Sequence, residues 1–314
     1  MVNLVIQRLR IGAESRPMFD RRSRAVYVLL AFAIAAGATL FRLMKFSIDP
    51  SVGLGPPAWA LLALGAAFLA RRVGHERIGT ALETTALVYA QGIVFLFVIY
   101  PLMSLHIPLA DSDLAAADSF LGFDWPTYAL LFTRNELLAQ AASSIYRSFQ
   151  WQPALVCVAL ASTGRLGRAW QFVTAATVAL CLTALIGPLF PAAMPAAHFG
   201  IAPRELPFLI PFHPWRFEQV LHALKDDGVR VLAPWMLVGI VSLPSYHMAA
   251  GVMFAWATWP TILRWPMIVL NTALAAATIV IGPHYLVDVI AGGAVAIASI
   301  YVARLWVKDE KCNE

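Results

Sequence analysis

Long apolar stretches alternate along the chain with shorter segments that carry most of its charged residues. A helix needs about 20 apolar residues to cross the hydrocarbon core of a bilayer. The pattern predicts eight such helices, over residues 25–41, 52–70, 84–105, 137–163, 169–190, 235–259, 265–281 and 285–305. An arginine-rich segment runs directly into the first helix, so we expect no secretory leader.

The composition agrees with this pattern and excludes a soluble globular protein. Apolar residues make up 60% of the 314 residues and charged residues 13%, whereas soluble domains are about 45–50% apolar and about 25% charged. The three cysteines, Cys157, Cys181 and Cys312, show neither a disulfide framework nor a metal-binding spacing. The sequence therefore predicts an all-α, polytopic transmembrane helix bundle.

The distribution of positive charge predicts the orientation in the membrane. With eight crossings, 15 of the 23 lysines and arginines fall on the side that holds both termini. Cytoplasmic loops are enriched in these residues, so we expect both termini in the cytoplasm. Residues 106–136 and 191–234 then lie outside and form a lid over the helix ends. The cytoplasmic loops and tails account for the excess positive charge, so no nucleic-acid-binding surface is expected.

Two short motifs place ionisable residues at the outer ends of predicted helices. LPSYH ends at His247 near the outer end of the sixth helix, and GPHYLVD, which includes His284 and Asp288, opens the eighth. The spacing of His284 and Asp288 puts both on one helix face. Ionisable residues are costly within a membrane segment and mark functional sites. We therefore predict that His247, His284 and Asp288 converge at one depth.

These three residue types suffice for phosphoryl transfer without a metal or a cofactor. A carboxylate that holds one imidazole nitrogen fixes the tautomer and raises the basicity of the other nitrogen. That nitrogen of His284 can attack phosphorus, while His247 protonates the leaving oxygen and later deprotonates the acceptor. The alternatives are interhelical hydrogen bonds for the single histidines and half of a metal site for the His–Asp pair.

The two motifs also carry a family resemblance. PSYH followed by GPHYLVD resembles the second and third signature motifs of the type 2 phosphatidic acid phosphatase superfamily, which comprises integral membrane lipid phosphatases and phosphotransferases. HYLVDVIAGG is similar to the branch with fungal inositol phosphorylceramide synthase and its bacterial relatives. DSDLAAADSFLGFDWPTY, YRSFQ and HALKDDG also resemble that branch, so the resemblance spans most of residues 110–295.

The resemblance implies a role for each matching residue. His284 would be the nucleophile, Asp288 its orienting partner and His247 the acid for the leaving group. Ser245, at the start of its helix, would help to bind phosphate oxygens. The chain would consist of a cytoplasmic basic tail (1–24), N-terminal transmembrane helices (25–105), a catalytic membrane domain with the helical core of that superfamily (106–305) and a cytoplasmic tail (306–314).

The sequence departs from the family pattern at its phosphate-binding cations. The superfamily usually has Ser-Arg six to seven residues before the nucleophilic histidine, where this chain has Ala277 and Thr278. The first family motif, a lysine followed by Arg-Pro, has no match in the external segment. We expect cations from the same side of the membrane to replace them, and the candidates are Lys225, Arg230 and Arg147.

These observations predict an enzyme that acts on a lipid phosphate or phosphodiester at the outer face of a bacterial inner membrane. Its partners would be that substrate and the surrounding lipids, and the branch resemblance favours transfer of an inositol-phosphate group. A transporter or scramblase that uses buried His and Asp is one alternative, although the halves of the chain show no convincing self-similarity. A catalytically silent membrane subunit is the other.

Overall fold

A computed structural model describes residues 22–53, 55–133, 135–208, 215–282 and 284–308. Over these residues the chain is mostly helical and has almost no sheet, which confirms the predicted all-α fold class. Two-residue strands, β1 (Ser47–Ile48) and β2 (Val231–Leu232), pair in parallel. The described α-helices are α1 (Arg24–Leu43), α2 (Gly55–Arg72), α3 (Glu76–Met103), α4 (Asp111–Phe120), α5 (Trp125–Thr133), α6 (Glu136–Ser148), α7 (Gln152–Ser162), α8 (Leu166–Ile186), α9 (Pro195–His198), α10 (Arg216–Lys225), α11 (Tyr246–Thr258), α12 (Arg264–Ile281) and α13 (Leu286–Trp306).

Within the described ranges, five helices are long and apolar enough to cross a membrane: α1, α3, α8 with the turn that follows it, α12 and α13. They coincide with the first, third, fifth, seventh and eighth predicted helices. Because it has five such helices, the protein is an integral membrane protein. The second prediction corresponds to α2, which is less apolar because it begins with Gly-Pro-Pro and ends with Arg71 and Arg72.

The fourth and sixth predicted helices differ from the structure. Residues 137–163 form two helices, α6 and α7, because the chain turns at residues 149–151 and Pro153 opens the second helix. Residues 235–259 are α-helical only in α11, since Pro244 disfavours a helical conformation in the residue before it. The non-helical part packs on α3, where the Tyr100 hydroxyl donates to the carbonyl of Val238 at 2.8 Å.

The bundle is built around α8, which packs against α1, α3, α7, α11 and α13. At one end, a buried polar cluster ties the N-terminal helices together. Arg71 of α2 lies 2.6 Å from Glu83 of α3, and the Tyr27 hydroxyl of α1 donates to the same carboxylate at 2.5 Å. Pairing satisfies charges that would otherwise be costly to bury. At the opposite end, the amino ends of α11 and α13 meet.

Candidate active site

The two sequence motifs are in direct contact where α11 and α13 begin. The main-chain N–H of Ser245 donates to the carbonyl of Asp288 at 3.0 Å. Gly292 of α13 makes this approach possible, because a β-carbon at that position would collide with the carbonyl oxygen of Ser245. The helix carrying His247 is thereby held against the helix that follows His284.

The surroundings of His284 assign its tautomer. The side chain is 2% exposed, with Nδ1 at 3.0 Å from the main-chain carbonyl of Ser242 and Nε2 at 3.3 Å from the Ser245 hydroxyl. A carbonyl only accepts, so Nδ1 carries the proton of the neutral ring and Nε2 carries the lone pair. The Ser245 oxygen accepts from the N–H of Met248, which leaves its own proton to donate to Nε2.

Asp288 is fully buried and supports His284 less directly than the sequence predicts. Its Oδ2 accepts from the Ser242 hydroxyl at 2.5 Å and from the Tyr285 N–H at 2.9 Å. The same oxygen lies 3.5 Å from Nδ1 of His284, longer than the 3.0 Å to the Ser242 carbonyl. Ser242 therefore links the carboxylate to the imidazole, a role that the sequence analysis missed.

His247 lies edge-on to His284, with 6.1 Å between the ring centroids and 67° between the planes. The structure thus brings His247, His284 and Asp288 together. The ring of Tyr146 stacks on His247 at 4.5 Å, and the ring of Phe149 lies 4.4 Å from it. Two imidazoles this close together can both contact one tetrahedral phosphoryl group.

Two aspartates of α4 hold the amino end of α13. Asp118 accepts from the N–H groups of Leu286 and Val287, both at 2.9 Å, and Asp111 accepts from the Tyr285 hydroxyl at 2.8 Å. Burial raises the pKa of Asp118, and the two N–H donors partly oppose that rise. Sequence analysis gave these aspartates no role, although their seven-residue spacing places both on one helix face.

The proposed phosphate-binding cations have other described contacts. Lys225 donates to the carbonyl of Leu105 at 2.6 Å. Arg230 donates to the carbonyls of Leu224 and Val229 at 2.9 and 3.0 Å, and its guanidinium lies 5.1 Å from the ring of Phe46. These contacts do not bring either residue to the histidines.

Neither Arg147 nor Thr278 has a described contact with the histidines. Arg147 is exposed on α6, one residue beyond Tyr146. Thr278, which stands where the family usually has arginine, donates its hydroxyl to Leu274 within α12 at 2.7 Å. Ser245 is therefore the predicted phosphate contact that lies beside His284.

Comparison with known proteins identifies the family of the chain. No curated protein and no solved structure gives a significant match. The family model described as the PAP2 superfamily matches residues 112–302. The matched range includes α4 except Asp111, both histidine motifs and most of α13, and it covers more than half of the chain. The protein belongs to the PAP2 superfamily.

Proposed function

We propose that the protein transfers a phosphoryl group of a membrane lipid through a covalent intermediate on Nε2 of His284. Membership of the PAP2 superfamily supports a phosphatase or phosphotransferase over a transporter or a silent subunit. The observation that carries the proposal is the environment of His284: Nδ1 donates to the Ser242 carbonyl at 3.0 Å, which leaves the Nε2 lone pair for attack.

The reaction proceeds in two displacements. The Nε2 lone pair forms a bond to phosphorus while the bond from phosphorus to the leaving oxygen breaks, and His247 gives its proton to that oxygen. In the second step, His247 removes the proton of an incoming hydroxyl, whose oxygen displaces Nε2. Water as the acceptor gives hydrolysis, whereas a lipid or polyol hydroxyl gives transfer. After the second step, His247 and His284 have returned to their initial protonation states.

The charges around His284 favour a phosphodiester substrate. Asp288, Asp118 and Asp111 are all at least 93% buried beside the amino end of α13, and they oppose a dianionic monoester more strongly than a monoanionic diester. This favours a lipid phosphodiester, the substrate class of the predicted inositol-phosphate transfer, over a phosphomonoester. Lys225, Arg230 and Arg147 remain proposed phosphate contacts, together with Ser245.

We further propose that residues 106–305 form the catalytic domain and that the histidines face the outer side of a bacterial inner membrane. The excess of Lys and Arg near the other ends of the helices supports this orientation. Substrate head groups would enter among the outer segments, and acyl chains would remain between the helices.

A serine nucleophile is the alternative with geometric support. Ser245 Oγ lies 3.3 Å from His284 Nε2, and Asp288 Oδ2 lies 3.5 Å from Nδ1, an order of contacts also found in Ser-His-Asp hydrolases. Ser245 is fully buried, however, and its oxygen caps α11 by accepting from Met248. Attack by this oxygen would sacrifice the cap, which favours His284.

The covalent intermediate decides between the two nucleophiles. Purified protein in detergent is mixed with ³²P-labelled phosphatidylinositol or phosphatidic acid, quenched and tested for bound label. A phosphorus–nitrogen bond is labile in acid, whereas a phosphoserine ester survives it. We expect acid-labile label that is absent in His284→Gln and retained in Ser245→Ala, with turnover that persists in EDTA.

Other outcomes contradict the proposal in distinct ways. Acid-stable label that disappears in Ser245→Ala would identify the serine as the nucleophile. Loss of turnover in chelator, with recovery on addition of Zn²⁺ or Mg²⁺, would show that the His–Asp pair holds a metal ion. Turnover without any covalent label, and with a functional His284→Gln variant, would exclude a nucleophilic role for the histidine.

A further inference from the structure

His247 is fixed by ring contacts rather than by hydrogen bonds. Tyr146 stacks on its imidazole at 4.5 Å with 24° between the planes, and Phe149 approaches at 4.4 Å with 47°. In the part of the chain that the structure describes, its ring nitrogens make no hydrogen bond. The orientation of His247 therefore depends on these two rings, which we call the aromatic clamp.

We propose that Tyr146 and Phe149 are positioning residues that hold His247 for proton transfer to the leaving oxygen, an inference that rests on the proposed function. Proton transfer requires the imidazole nitrogen to lie within hydrogen-bond reach of that oxygen. An imidazole without hydrogen-bond partners would otherwise rotate among several orientations.

The clamp is built into the turn between α6 and α7. Tyr146 and Phe149 are three residues apart and lie on one side of the chain. Beyond them, Gln152 donates to Ser148 at 2.9 Å and accepts from Asn271 of α12 at 2.8 Å. All three polar side chains are buried, so they fix this turn against α12.

Both rings also contact neighbours that limit their movement. Phe149 lies 6.0 Å from the ring of Phe254. A β-carbon at Gly282 would lie 3.2 Å from Cε2 of Tyr146 and 2.9 Å from Cδ2 of His284. The glycine thus leaves the space that lets Tyr146 pack beside both histidines.

Two substrates with different leaving groups can distinguish a misplaced general acid from a general loss of structure. An alkoxide needs a proton to depart, whereas 4-nitrophenolate leaves without one. The full-length protein is assayed with phosphatidylinositol and with decyl 4-nitrophenyl phosphate, and unfolding temperatures are recorded. Because His247 is also the base of the second displacement, the comparison uses release of the leaving group in a single turnover. We expect Tyr146→Leu and Phe149→Leu to lower that rate for the lipid about tenfold or more, and for the nitrophenyl ester less than about threefold.

Two further variants make the comparison specific. In the described surroundings the Tyr146 hydroxyl makes no hydrogen bond, so Tyr146→Phe should retain the activity that Tyr146→Leu loses. Tyr301→Leu is the matched control, because Tyr301 is 64% exposed on α13. Equal losses with both substrates, or a loss in Tyr146→Phe as large as in Tyr146→Leu, would overturn the proposal.

A spectroscopic readout tests the clamp independently of activity. Stacked rings shield the protons of His247, whose NMR resonances can be assigned in histidine-labelled protein by their absence from His247→Gln. We expect these resonances to move downfield in Tyr146→Leu and to stay in place in Tyr301→Leu. Unchanged resonances in Tyr146→Leu would contradict the clamp, while an inactive wild type with the expected shifts would instead contradict the proposed function.

Discussion

Ser242 holds two members of the histidine cluster at once. Its carbonyl accepts from Nδ1 of His284 at 3.0 Å, and its hydroxyl donates to Asp288 at 2.5 Å. Both partners belong to the GPHYLVD motif, but the sequence gives no sign that Ser242 links them. Ser242 comes just before the other motif, LPSYH, in a segment predicted to be helical. Only its non-helical conformation turns the carbonyl and the hydroxyl toward the same site.

Replacing Ser242 with alanine should therefore slow catalysis without removing a reacting group. The substitution leaves the carbonyl in place but deletes the hydroxyl that fixes Asp288, and loss of such an outer partner commonly costs about 10–100-fold in activity. We expect kcat for phosphatidylinositol to fall in that range with little change in KM. Ser162→Ala, at an exposed position at the end of α7, is the control. A kcat equal to that of the control would show that Asp288 acts without Ser242.

At the scale of elements, carboxylates occupy the amino end of α13. The N–H of Tyr285 bonds to Asp288, and those of Leu286 and Val287 bond to Asp118, all at 2.9 Å. These donors would otherwise be unsatisfied at the helix start. The amino end of α13 is thus occupied by carboxylates, whereas the amino end of α11 is capped by the hydroxyl of Ser245.

Asp118→Ala should loosen this helix start and displace His284. The variant loses two hydrogen bonds to a buried carboxylate, so we expect the free energy of unfolding to fall by about 1–3 kcal/mol. We expect turnover to fall with it, as measured by denaturation in detergent and by the phospholipid assay. Asp113→Ala, on the exposed face of the same helix, is the matched control. Equal stability and turnover in the two variants would show that α4 does not position α13.

The sequence predicted those elements well that are defined by a long apolar stretch. Five of the predicted helices and the convergence of the two histidine motifs follow from apolar length and from charge order. The turn between α6 and α7 did not follow, because residues 149–151 contain neither glycine nor proline to mark a break. The partner of Lys225 was also unpredictable, since it is the carbonyl of Leu105 in a distant segment, and such a contact leaves no sequence pattern.

On the scale of the whole molecule, the histidine cluster and a girdle of Arg and Trp lie at opposite ends of the bundle. The guanidinium of Arg168 lies 3.7 Å from the ring of Trp256, and that of Arg304 lies 5.5 Å from the same ring. Arg264 lies 5.0 Å from the ring of Trp265. Tryptophan is enriched at membrane interfaces and arginine on the cytoplasmic side. The girdle therefore supports a cytoplasmic position for the end opposite the histidines.

The length of α13 allows the orientation of the protein in the membrane to be tested. Its 21 residues span about 30 Å, the thickness of the hydrocarbon core, so its two ends should lie on opposite faces. In a chain without its native cysteines, Asp113→Cys near the start of α13 should react with a membrane-impermeant maleimide in intact spheroplasts. Lys308→Cys, beyond the end of α13, should react only after permeabilisation. The reverse pattern would place the histidines on the cytoplasmic face, and reaction of both in intact spheroplasts would contradict a spanning α13.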